Sequence, residues 1–197
     1  MNHNHHHNEF NQNFLNKIAF LDSKQRVKLI PQEVLISQMP IEKNHTLLDI
    51  GAGSGFFTIP MAESTTNKVY AMDPDFRMLK VIEEKAKEKG ITNIELIQDY
   101  LENLNIENDS IDFAMASLIL HEVSSLSNAL SKIYEVLKPG GHLLCLEYEK
   151  DELVVEGPPM SIRISSENLE KTLTTIGFKL VKKTKINDAI YTMIAVK

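Results

Sequence analysis

An apolar strand that ends in an acid and breaks into three closely spaced glycines constrains this chain most: Leu47-Leu48-Asp49-Ile50-Gly51-Ala52-Gly53-Ser54-Gly55-Phe56-Phe57. Glycine is required where backbone turns tightly or lies against a ligand, because a Cβ would collide there. The helix that follows such a loop turns its free N–H groups toward whatever the loop holds. The run therefore predicts a strand, loop and helix that cradle a nucleotide-like molecule at the carboxyl edge of a parallel sheet.

The rest of the chain alternates in the same way. Residues 1–20 read as a His- and Asn-rich tail, and 21–197 as a single domain, a length that buries a sizeable core. Leu21–Met39 has apolar residues at helical spacing, with Asp22 or Ser23 as N-cap, and Pro31 divides it into two short helices. Strands are expected at Thr46–Ile50, Lys68–Met72, Ile94–Gln98, Ile111–Ser117 and Leu143–Tyr148. Helices are expected at Phe56–Glu63, Phe76–Lys89 (closed by Gly90) and Ser127–Leu137. After a loop over Glu149–Ile164, one more helix, Glu167–Ile176, precedes strands Phe178–Lys185 and Ala189–Val196, which meet at Asn187-Asp188. Repeated βα units that finish in two adjacent strands predict an α/β fold: a doubly wound, Rossmann-like sheet of seven strands, mostly parallel, with a C-terminal antiparallel hairpin.

Composition excludes several classes. The formal net charge is -6 and no basic stripe is present, which argues against nucleic acid as a partner. Cys145 is the single cysteine, so no intramolecular disulfide points to an oxidising compartment. No apolar run approaches the roughly 20 residues of a membrane span, and the N-terminus lacks a basic start with an apolar core. A cytoplasmic protein with no membrane association is expected; oligomeric state is not legible.

The ligand can be narrowed further. Glycines recur as Gly51-x-Gly53-x-Gly55, one residue tighter than the usual dinucleotide loop. Asp73 ends the second strand, where an acid can accept from two ribose hydroxyls, and Asp99 follows the third strand, within reach of a purine edge. Leu47–Ala62 contains no Lys or Arg, which favours an uncharged or cationic ligand over a pyrophosphate.

These residues, with Val69-Tyr70-Ala71-Met72-Asp73-Pro74, Gln98-Asp99 and Val136-Leu137-Lys138-Pro139-Gly140-Gly141, stand in the order and spacing of a known family. From Leu21 to Lys197 the chain resembles the class I S-adenosylmethionine-dependent methyltransferases. Leu120-His121-Glu122-Val123, and Gly157-Pro158-Pro159 with Arg163, are similar to a subgroup of small bacterial-type members. The resemblance implies S-adenosyl-L-methionine as cofactor and S-adenosyl-L-homocysteine as product. It implies that Gly51, Gly53 and Gly55 line the methionine and ribose part, that Asp73 holds the ribose hydroxyls, and that Asp99 and the Tyr100 N–H meet the adenine. Phe56 and Met78 are the implied apolar walls, Ser117 and Leu118 the neighbours of the sulfonium, and Asp49, Ala52 and Pro74 complete the set.

Methyl transfer from a sulfonium is a direct displacement, so alignment and exclusion of water matter more than a catalytic triad. His121, a few residues past the fourth strand, is the candidate catalytic group: it orients or deprotonates an acceptor, or else only pairs with a backbone carbonyl or a nearby acid. Glu122 either pairs with Arg163 to fix the later loop or both stay solvated. Tyr191 reads as a core residue, and Met115, Met160 and Met193 as packing. His3, His5, His6 and His7 read as a cloning tag or a disordered native tail, with a soft-metal tract or a flap over the acceptor pocket as the functional alternatives; no complete metal site is present. The absence of an Asn- or Asp-Pro-Pro-aromatic run, of Pro-Cys and of multiple thiols leaves a small-molecule acceptor. Two rivals stand beside this reading: a non-catalytic protein that binds S-adenosylmethionine or S-adenosylhomocysteine, and an NAD(P)-dependent oxidoreductase.

Overall fold

The computed structural model describes residues 3–197, with side chains from residue 12 onward. The expectation for His3, His5, His6 and His7 falls on side chains outside those described. Seven strands form one sheet: β1 (Leu47–Ile50), β2 (Val69–Met72), β3 (Ile94–Ile97), β4 (Ile111–Ser117), β5 (Leu137–Tyr148), β6 (Lys179–Lys185) and β7 (Ile190–Val196). Their order is β3-β2-β1-β4-β5-β7-β6. The first five are parallel, and β7 runs antiparallel between β5 and β6. The doubly wound sheet with its late hairpin is thus as expected.

Three helices precede the sheet: α1 (His3–Leu21), α2 (Lys24–Leu29) and α3 (Gln32–Ser37). Ser23 caps α2 by accepting from the Arg26 N–H, and Pro31 opens α3. Four more cover the faces: α4 (Thr58–Ser64), α5 (Phe76–Lys89), α6 (Leu126–Val136) and α7 (Ser166–Ile176). Asp75 caps α5 at its start, and Gly90 ends it in the left-handed conformation at φ 68°. Ser125 and Ser165 cap α6 and α7.

Strand residues alternate between two cores because successive side chains point to opposite faces. Leu48, Ile50, Ala114, Ala116, Leu143 and Cys145 pack with α6 and α7. Leu47, Phe113, Met115, Leu144 and Leu146 pack beneath the early helices, with Ile30 and Leu35. Tyr191 and Met193 are buried, and the Tyr191 hydroxyl donates to the Ile164 carbonyl at 2.9 Å.

Helix α1 stands where a tail was expected, and two boundaries differ from expectation by more than one residue. The fifth strand starts at Leu137, not Leu143, because Leu137 already pairs with Ile111 at the foot of β4. The helix after the glycine loop starts at Thr58, two residues late, because the loop spends Phe56 and Phe57 on an edge-to-face ring contact. Among the described residues, no helix is long and apolar enough to cross a membrane, and no group of three His, Cys, Asp or Glu side chains is placed to hold a metal.

Candidate active site

The connections reverse direction between β1 and β4, since β1 continues toward β2 and β4 toward β5. Such a switch point opens a crevice at the carboxyl ends of the two strands. Gly51 leaves β1 on one side of it; Leu118 and Ile119 leave β4 on the other.

The glycine loop is held by its neighbours. Gly51, Gly53 and Gly55 all have positive φ (67°, 53° and 85°), which side chains rarely tolerate. A Cβ on Gly51 would lie 2.6 Å from the Ile119 side chain, so Ile119 rests directly on the bare backbone. A Cβ on Gly53 would meet Leu21 of α1 at 3.4 Å, so the end of α1 covers this glycine. Asp73 accepts from the Gly53 N–H at 2.9 Å and from the Asp75 N–H at 2.8 Å. Burial raises the Asp73 carboxyl above its ordinary range against these two hydrogen bonds. Asp49 lies beneath the loop and accepts from the Thr58 hydroxyl at 2.6 Å. Complete burial, opposed by that hydrogen bond and reinforced by nearby Asp73, raises its pKa to about 7.

A small cavity opens beside Gly51. It encloses about 90 Å³ and is lined by Ile50, Met72, Pro74, Asp99, Tyr100 and Ile119, among others. Asp99 accepts from both the Tyr100 N–H and the Asn103 amide at 2.8 Å. Gly51, Pro74, Asp99 and Tyr100 are therefore brought together, with Asp73 adjacent in the chain to Pro74. Three other expected site residues are placed differently. Met78 is fully buried in the core, and Ala52 packs with Ala71, Leu79 and Ile82. Phe56 turns toward the first helices, under the Arg26 guanidinium, and its carbonyl accepts from the Gln32 amide. Ser117 ends β4 with its hydroxyl buried and without a hydrogen-bond partner.

A second cavity of about 970 Å³ lies on the other side of the β4 terminus. Leu118 and His121 face it, with Phe20, Arg26 and Leu29 from the N-terminal helices and Tyr148 from β5. Leu118 takes φ 56°, unusual for a side-chain-bearing residue. That bend turns Leu118 into the large cavity and Ile119 into the small one, so these two residues form the partition between them.

His121 is anchored from below. Its Nδ1 lies 2.7 Å from Oε2 of Glu147, a fully buried residue of β5, while Nε2 lies 3.9 Å from exposed Glu122. Glu147 also accepts from the Leu120 N–H at 2.8 Å, which fixes the 3-10 turn Leu120–Glu122 that carries the histidine. Burial alone would lower the His121 pKa; the Glu147 hydrogen bond and the charges of Glu147 and Glu122 overcome it and raise the pKa above its ordinary value. Glu122 does not pair with Arg163. Arg163 donates instead to the carbonyls of Pro158, Val154 and Glu156 at 2.8, 2.9 and 2.6 Å, which folds the loop after β5 into a cavity wall. Gly157 of that wall lies against the Tyr148 ring, where a Cβ would approach to 2.6 Å.

Three contributors escape a local reading of the sequence. Glu147 left one signal, as the lone acid inside an apolar strand, but its partner His121 lies 26 residues away. Arg26 resembles the exposed cations around it, yet is 8% exposed. Lys85 brings a cation to the glycine loop from α5, donating to the Ser54 carbonyl at 2.8 Å, although its charge is paired with Asp22.

Solved structures share this architecture. A SAM-dependent methyltransferase from Aquifex aeolicus superposes with a TM-score of 0.82 at 24% identity, covering 91% of this chain and 96% of that one. The [4+2]-cyclase SpnF superposes at 0.76 with 18% identity, covering 84% and 80%. Fold and strand order are those of the class I S-adenosylmethionine-dependent methyltransferases. The chain belongs to the ubiE/COQ5 methyltransferase family, whose model matches residues 15–161. Among curated relatives, a demethylmenaquinone methyltransferase of Geobacillus sp. is 30% identical over 125 residues, 62% of this chain and 53% of the relative. A ubiquinone/menaquinone biosynthesis C-methyltransferase UbiE of Marinomonas sp. is 35% identical over 120 residues, 59% and 48% respectively. The chain spans about half the length of these curated relatives.

Proposed function

We propose that the protein transfers a methyl group from S-adenosylmethionine to a small-molecule acceptor. The observation that carries this reading is the partition at Leu118 and Ile119. A narrow slot lined by Gly51, Asp99 and Tyr100 and a cavity large enough for an organic substrate lie on its two sides.

The residues present fit the cofactor. The Gly51 backbone admits close approach of a ligand, and Asp73 keeps an acidic oxygen pair at the end of β2. Asp99 and the Tyr100 N–H offer one acceptor and one donor at the far end of the slot. Buried Asp49 supplies negative potential for a cationic amino acid portion. When bound, S-adenosylmethionine supplies an activated methyl group on a sulfonium. Ile119 must turn aside first, since about 90 Å³ is below the roughly 300–1,000 Å³ of ordinary ligand pockets.

The chain's own residues do the rest. Leu118 and the loop at Gly157 form two walls of the large cavity. Glu147 holds the His121 ring by Nδ1 and leaves Nε2 to orient the acceptor or take its proton. The relatives' names make a quinol ring the first acceptor to try.

The test is transfer of label from methyl-labelled S-adenosylmethionine to quinols and to a metabolite extract. Release of S-adenosylhomocysteine with a labelled small product supports the proposal. Tight cofactor binding with no transfer to any acceptor would favour a non-catalytic binding protein.

A further inference from the structure

Arg26 makes no salt bridge among the described residues and is only 8% exposed; the acids whose charges reach it are Asp49 and Asp22. Its Nε is buried without a hydrogen-bond partner, and its guanidinium sits 5.0 Å over the Phe56 ring centroid. Asp22 is paired with Lys85 and Asp49 accepts from Thr58, so neither caps the guanidinium, and burying a cation without a hydrogen-bonded counter-charge is costly. A folded chain offers many surface sites for an arginine; this one is held inside, on the wall of the large cavity.

Other groups on the wall sharpen the picture. Tyr148 lines the same cavity, with a phenol that can donate. His121 lies beyond it, beside the β4 terminus. Glu156 and Asp188, the acids that also border the cavity, are exposed. Phe20, Leu29, Leu118 and Ala189 supply an apolar body. The cavity therefore offers one buried cation and a donor within a mostly apolar surround.

We propose that the large cavity recognises an apolar small molecule bearing a carboxylate, which pairs with Arg26. This rests on the reading of the cavity as the acceptor site, and it departs from the relatives' names by asking for a ring that carries an acidic group rather than a plain quinol. The planar guanidinium presents paired N–H donors that match a carboxylate, which a neutral amide cannot replace. Pairing at Arg26 would anchor one end of the molecule and leave its other end toward Leu118 and His121.

The test uses the full chain and two matched pairs of probes: benzoate with benzamide, and 2-naphthoate with 2-naphthamide. Dissociation constants are read by ligand-observed NMR, with and without S-adenosylhomocysteine. Each carboxylate is expected to bind about tenfold more tightly than its amide, the usual scale of one charge-assisted contact. Arg26→Gln should abolish that preference, and Arg26→Lys, which keeps the charge but not the paired donors, should retain only part of it. A role for Arg26 in packing alone would not change discrimination between acid and amide. Equal binding of acid and amide to the wild-type protein overturns the proposal, even if no Arg26 variant folds. A preference that survives in Arg26→Gln overturns it too, as does a failure of both carboxylates to bind. Binding of S-adenosylhomocysteine is scored separately, so loss of the donor reading and loss of this one give different results.

Discussion

Nδ1 of His121 and Oε2 of Glu147 meet at 2.7 Å across 26 residues of sequence, one on the turn after β4 and the other inside β5. The contact ties the turn after β4, on one side of the switch-point crevice, to a fully buried residue of β5. It selects the proton position on the ring and raises the histidine's pKa.

The first expectation concerns that pair. A folded pKa above the unfolded value of about 6.5 means that the folded protein binds more protons. The stabilisation is fully present below the unfolded value and disappears as pH rises through the folded one. The unfolding free energy should therefore fall from about pH 6 toward pH 8, and His121→Ala should flatten that part of the curve. NMR titration of the ring should place its midpoint above the ordinary histidine value, and Glu147→Gln should bring it down. A midpoint insensitive to Glu147→Gln would remove Glu147 from the account.

Asp49 should couple cofactor binding to protons. Its carboxyl titrates at about 7 in the free protein, and a cationic ligand above it favours the ionised form. S-adenosylmethionine should bind more tightly as pH rises from about 6 to 8, with release of a proton. Calorimetry in buffers of different ionisation enthalpy checks this. Asp49→Asn should remove the proton release; release that persists in Asp49→Asn would place the titrating group elsewhere.

Ile119 and Gly51 form a second coupled pair. Gly51→Ala puts a methyl group 2.6 Å from the Ile119 side chain and strains a backbone at φ 67°. It should lower Tm and abolish cofactor binding. Adding Ile119→Ala should recover part of the Tm, because the clash goes while backbone strain of about 1–2 kcal/mol remains. Thermal melts of the three variants decide it; no recovery in the double variant would mean that the collision is not what destabilises Gly51→Ala.

Asp73→Ala should do two things at once. Loss of the ribose contact should weaken S-adenosylhomocysteine by about 1.5–3 kcal/mol. Loss of the acceptor for the Gly53 and Asp75 N–H groups should also lower Tm. Unchanged affinity in a folded variant would show that the ribose lies away from β2.

Much of this was legible in the residues. The near-continuous apolar run of β4 and the glycine break after β1 place the switch point, because a parallel sheet is covered on both faces and its loop must clear a ligand. Ser23 and Gly90 announce the start of one helix and the end of another through capping chemistry that acts over a few residues. What escaped depends on distance in the chain. Nothing near Gly53 says that Leu21 will cover it, so the space beside it reads as ligand space when α1 fills part of it. Nothing near Arg26 distinguishes it from Lys24 and Lys28, since its burial is set by Phe56 and Tyr148 from elsewhere. Pairing of Glu122 with Arg163 was reasonable on charge, but the loop after β5 offers Arg163 three closer carbonyls.

The most direct measurement is a calorimetric titration of the purified chain with S-adenosylhomocysteine and, separately, with NAD. The expected result is saturable one-to-one binding of S-adenosylhomocysteine, weakened by Asp73→Ala, and no binding of NAD. Tight NAD binding with none of S-adenosylhomocysteine would contradict the account at its centre.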